Sequence, residues 1–229
     1  MQNKRKKQKT IEDITGSIDI DTNSLTKIND LKLYIEENEE NYLELLNIIE
    51  CKNFNDFFSY KNFELCIFEN CIFNSCDFEN STFINCKFIG CDFSGSTFNK
   101  AYFDKIDIDM CKFSGCAFTS AKLSNMKINE SNFNLASHFE CNINDLKIEN
   151  TTYLESFFDA CKLKNFNIKE VNFSKTEFFN TLLKDIDFTT STIDNIKFSK
   201  NMIELIGIIV DTYQAAALAT AIGIVIKDY

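Results

Sequence analysis

The chain has no proline and no tryptophan, one histidine, and only six glycines among 229 residues. A lone His138 without a matched nucleophile or carboxylate is no catalytic constellation. There is no Gly-rich phosphate loop, no Ser/His/Asp grouping and no pair of acids sharing a cleft, so the reading is not an enzyme, with no cofactor and no metal. The N-terminus, MQNKRKKQKTIEDITGS, lacks the apolar run of a secretory signal. The expected compartment is therefore the cytoplasm, with thiols reduced. Positive charge is also in deficit: the net charge is −10, which argues against direct nucleic-acid binding. One apolar run, Ile206–Ile226, is long enough to span a bilayer. Asp211 and Gln214 inside it are costly in lipid and no basic cluster flanks it, so it is read as a segment off the membrane.

What the chain has is phenylalanine and cysteine, 24 and ten residues. Residues 66–95 read CIFENCIFNSCDFENSTFINCKFIGCDFSG. Stepping by five from Phe68 meets Phe73, Phe78, Phe83, Phe88, Phe93, Phe98 and Phe103, and the apolar column continues to Ile203 and Ile208, broken only at His138. Two places before each centre the residue is small, as at Cys66, Cys71, Cys76, Ser81, Cys86, Cys91, Ser96 and Ala101. The small slot becomes large at Ile106, Met126, Leu146, Phe166, Ile186 and Ile206, every fourth repeat. An internal repeat outranks local secondary-structure signals. The simplest solid is a coil with four sides per turn, two inward residues per side and parallel stacking about 4.8 Å apart. With four repeats to a coil, the stretch Cys66–Leu205 predicts seven coils. Nine of the ten cysteines, all but Cys51, fall in the inward slot, where a free thiol packs as a small hydrophobe rather than a metal ligand.

This register resembles the pentapeptide-repeat family, whose fold is a right-handed quadrilateral β-helix, an all-β solenoid. The resemblance covers residues 63–208, with the five-residue phase read as unbroken. Three domains follow: 1–60, a basic tail (Lys4–Lys9) and helical cap; 61–208, the repeat β-helix; and 209–229, a C-terminal module. The apolar spacing of Leu25, Ile28, Leu31, Ile35, Tyr42, Leu45, Leu46 and Ile49 predicts an amphipathic helix within Ser24–Glu50 that covers the first coil. Val210–Ile222 reads as a helix stopped by Gly223, followed by a short strand.

The run DTYQAAALATAIGIVI from Asp211 resembles the C-terminal helix-strand dimerisation module of the Qnr and MfpA type. On that resemblance, Tyr213, Gln214, Ala215, Leu218, Ile222 and Ile224 form a homodimer interface. The type resembles B-form DNA in shape and charge, binds DNA gyrase or topoisomerase IV, and is associated with quinolone resistance. The function implied is a non-enzymatic, DNA-mimicking protein that binds gyrase and protects it from quinolones. With the phase unbroken, any loop of the kind some Qnr proteins use would have to be a multiple of five residues long, which counts against drug protection and leaves gyrase binding open. Between Lys61 and Leu205 there are 20 acidic and 15 basic residues, a net of −5, too sparse for a dense acidic stripe. A more local surface lies on one side of the rod, where Phe139 and Glu140, Phe157 and Asp159, and Glu177 and Phe179 point outward on successive coils. These six are the candidate partner-binding residues. The alternatives are an adaptor rod with an unrelated protein partner, and an immunity protein against a topoisomerase-directed toxin.

Overall fold

In the computed structural model, which describes Ile18 and residues 20–227, every fifth residue turns the chain. Asn70, Ser75, Asn80 and Asn85 hold φ between 51° and 57°, and the same left-handed corner recurs at Gly90, Gly95, Lys100 and Lys105. Asn tolerates this region better than other side chains, which accounts for its abundance at the corners. Corner N–H groups within the coil are tied to the next coil: Asn70 donates to Ile89 O at 2.9 Å and Asn80 to Asn99 O at 2.9 Å. Those bonds offset the strain of placing Lys or Met at a corner. The basic run Lys4–Lys9 lies outside the described residues.

Between corners the chain pairs in parallel with the coil above. Phe83 faces Phe103, Leu123 faces Ile143, and Ile143 faces Leu163, each pair separated by one full coil. The pairing stacks like on like. Phe98 lies between Phe78 and Phe118 with ring centroids 5.1 and 5.2 Å away and nearly parallel ring planes. Such offset stacks add to the burial of the rings themselves. His138 takes its turn in this column, 5.0 Å from Phe118 and 4.4 Å from Phe158. The result is a right-handed quadrilateral β-helix of about nine turns.

Two more turns than the sequence predicts come from the N-terminal side. Thr26–Ile28 pairs with Leu46–Ile48, and Tyr42–Glu44 with Asn62–Glu64, in the same register. The expected amphipathic helix shrinks to α1 (Leu31–Asn38), which starts at Asp30, whose side chain caps Leu33 N, and ends at Glu39 with φ 52°. It replaces one side of the first turn, with Leu31 buried beneath it. Cys51 is therefore also an inward residue, and all ten thiols are buried.

The small slot is more than a size limit. Cys66 Sγ donates to Leu43 O at 3.3 Å, Ser81 Oγ to Phe58 O at 2.8 Å and Thr176 Oγ1 to Tyr153 O at 2.6 Å, each a carbonyl of the preceding coil. Cys, Ser and Thr interchange there because each brings a donor to a buried carbonyl.

Outside the rod, Ile18, Ile20 and Leu25 pack with Leu45, Leu65, Ile67 and Ile89. The last four sit at corner or outward positions of successive turns. Ile18, Ile20 and Leu25 thus cover the apolar stripe that the turns would otherwise expose.

At the other end the five-residue phase does slip. Phe178 pairs with Phe198 in the regular register, but Asp187 pairs with Ile209, two positions beyond its regular partner. The excess is taken up around a 3-10 turn at Ile203–Leu205, preceded by Met202 at φ 55°. Val210, rather than Ile208, consequently stands opposite Phe188. The chain then enters α2 (Thr212–Ala221) through a capping box between Asp211 and Gln214.

Candidate functional site

Among the described residues no group of three or more His, Cys, Asp or Glu side chains is placed to hold a metal. No helix among the described residues is long and apolar enough to cross a bilayer. Two surfaces remain.

The first is the side that carries the candidate partner residues. Register divides five of them into two columns, and Glu140 stands at a corner. Phe139 pairs with Asp159 and Asp159 with Phe179, while Ser137 pairs with Phe157 and Phe157 with Glu177. The three aromatics thus alternate across the face rather than stack directly. Phe139 and Phe157 are 40% and 41% exposed, and Phe179 is half-buried. Leu135, 55% exposed at the corner of the same turn as Phe139, widens the apolar patch and escaped sequence reasoning because corner positions are usually polar.

The carboxylates of this face are largely engaged within the chain. Glu177 accepts from Lys197 at 2.6 Å and Asp159 from Asn180 at 2.9 Å, while Glu140 is exposed. At its border Lys175 bonds Glu155 at 2.8 Å, and that bond holds the Glu155 carboxyl below the usual range. Acid and base alternate along the stack because residues one coil apart are neighbours, so opposite charges there pair across turns. The face is an aromatic patch in which one carboxylate, Glu177, is paired with a lysine.

The second surface is the C-terminal module. Tyr213 is 89% exposed, and Ala215, Ile222 and Ile224 are exposed as well. Leu218 instead turns inward against the core, and a groove of about 220 Å³ runs between α2 and the last turn, lined by Ile193, Ile196, Ala217, Leu218 and Ala221. Gln214 is a fastener rather than a free contact. Its side-chain nitrogen donates to Phe188 O at 2.9 Å and Ser191 O at 2.8 Å, and its oxygen accepts from Asp211 N at 3.0 Å. It seats the helix on carbonyls that the ending coil leaves open. Residues 224–227 form no strand within the chain, and Val225 is 82% exposed; the strand read from the sequence has no edge of its own to pair with.

Residues 58–133 match the family model described as pentapeptide repeat region. No curated protein matches the chain. Among solved structures it is similar to trypsin-treated QnrB1, a plasmid-mediated fluoroquinolone resistance protein, with 21% identity over 80% of this chain and 90% of that one and a TM-score of 0.41. Full-length QnrB1 gives 18% identity over 78% and 100% of the two chains, TM-score 0.35. HetL from the cyanobacterium Nostoc, a pentapeptide repeat protein involved in heterocyst differentiation regulation, gives 10% identity over 72% and 90%, TM-score 0.29. The pentapeptide-repeat match is confined to residues 58–133, and the same five-residue register continues on both sides of it.

Proposed function

We propose that this chain is a non-enzymatic, dimeric binding rod whose target is DNA gyrase or a related type II topoisomerase, and that it protects the enzyme from quinolones. The observation that carries the reading is the C-terminal module. Its Tyr213-Gln214-Ala215 run, Leu218 and Gly223-Ile224 follow the Qnr and MfpA pattern, and it folds as a capped helix fastened to the last turn with an apolar outer surface. An exposed apolar set of this kind on a rod needs a partner surface, and a second copy supplies it. Two rods joined end to end would place their aromatic faces on one elongated, acidic particle.

Within that reading, the contact with the enzyme is made by Phe139, Phe157 and Phe179 with Glu140, Asp159 and Glu177. Because Glu177 is paired with Lys197, apolar contact outweighs charge on this face, which departs from strict DNA mimicry. The exposed aromatics also favour a second reading, an adaptor rod that docks an unrelated protein through the same patch. An immunity role against a topoisomerase-directed toxin would share the enzyme and differ in the poison. Binding of the full chain to purified gyrase, followed by surface interferometry, tests the proposal. Saturable binding at micromolar concentrations or below supports the topoisomerase readings, and no binding leaves the adaptor.

A further inference from the structure

The interior of the rod is not uniform. The stretch from Phe58 to Phe103 is packed with stacked phenylalanines, whereas from Ile106 and Ile108 onward aliphatic side chains share the core. Aliphatic residues do not fill the space of a ring, and an internal void with about 20 Å³ of room for a water molecule lies at this transition. Its lining includes Phe118, Phe133, His138, Leu146, Tyr153 and Phe158. A water needs roughly 10–15 Å³ by this measure, so the space admits one water and nothing much larger.

Size alone would not fill it, since voids lined only by apolar groups stay dry. Two of its lining residues are polar. His138 is 2% exposed, and its Nδ1 is buried without a hydrogen-bond partner. The ring cannot swing away to find one, because Phe118 and Phe158 clamp it from both sides at 5.0 and 4.4 Å. Tyr153 is likewise 2% exposed, and burial pushes its phenol up. The two rings are neighbours, their centroids 6.0 Å apart and tilted by 48°. Buried polar groups left without partners are unfavourable, and native proteins answer them with ordered water where there is room.

We propose that this void is a binding site for a single water molecule held by His138 and Tyr153. A neutral imidazole offers one donor and one acceptor and a phenol offers both, so one water can satisfy the two side chains together. A shared water accounts for a histidine in a column of phenylalanines, since it gives the buried ring nitrogen a partner.

The test is a crystal structure of the full chain at atomic resolution, with a second crystal under xenon. The proposal expects one spherical peak within hydrogen-bonding distance of the His138 ring and the Tyr153 hydroxyl, and no xenon there. In the double variant His138→Phe with Tyr153→Phe the peak should vanish. A wild-type void without density, or one that takes up xenon, overturns the proposal whether or not the variant folds. A peak that survives in the double variant overturns the roles of His138 and Tyr153.

Discussion

The backbone N–H of Asn180 donates to Glu204 Oε1 at 2.7 Å. In the regular coil that N–H would meet a backbone carbonyl of the next coil, as Asn80 meets Asn99 and Ala160 meets Phe179. Here the phase slips, and the buried Glu204 side chain stands in for the carbonyl of Ser199, whose hydroxyl it also engages at 2.6 Å. The carboxylate is a side-chain terminator of the repeat. Glu204→Ala would leave Asn180 N without its acceptor and take from Ser199 Oγ one of its two acceptors. We expect a loss of about 2 kcal/mol in urea unfolding, with Glu204→Gln losing less. Equal stability of Glu204→Ala and wild type would remove this role.

His138 gives the rod an acid sensitivity. Burial lowers its pKa from 6.5 to about 4. The unfolded chain therefore binds more protons between those values, so the contribution is fully present above pH 6.5 and is lost as pH falls toward 4. The linkage is worth on the order of 3 kcal/mol over that window. Urea midpoints at pH 7 and pH 4.5 should fall further apart for wild type than for His138→Phe, which keeps a ring between Phe118 and Phe158. Identical pH responses of the two proteins would contradict the neutral, buried imidazole.

The ten thiols should be inert in the native state. All are buried; burial pushes Cys116 up to about 12 and raises Cys86 well above its ordinary value. Thiolate is the reactive form, so a disulfide reagent should label none of the ten before unfolding and all of them in guanidinium. Fast labelling of the native protein would mean that the coil opens.

The dimer can be separated from the coil. Deleting residues 211–229 removes α2 and its exposed apolar set and frees the Phe188 and Ser191 carbonyls at the end of the rod. Light scattering should report monomers while the β-rich circular dichroism persists. A truncated protein that remained dimeric would move the interface elsewhere.

Much of this architecture is legible in the sequence because one residue in five must be apolar and another small, and coil geometry enforces both. The first turns were hidden by Leu46 in the small slot and Asn53 at a centre, and by leucines whose spacing also suits a helix. The slip before Ile209 was masked because Ile203 and Ile208 keep the column apolar while Val210 takes the paired position. Outward Leu65, Ile67 and Ile89 had no visible reason, since their cover, Ile18, Ile20 and Leu25, is remote in sequence. For the candidate surfaces, periodicity gave the direction of Phe139 and Phe157 but not the Lys197–Glu177 pairing, which depends on which turns are neighbours. Gln214 read as a contact residue because its motif does not reveal that the last turn needs a donor.

The most direct test is gyrase supercoiling against protein concentration, with and without a quinolone, for wild type and for the triple variant Phe139→Ser, Phe157→Ser, Phe179→Ser. The account predicts that wild type alters supercoiling or relieves the drug at micromolar concentrations or below. The triple variant should need at least about tenfold more protein, because central aromatics carry most of an interface's energy. No effect of wild type in either condition would contradict the topoisomerase target, and an unimpaired triple variant would contradict the aromatic face.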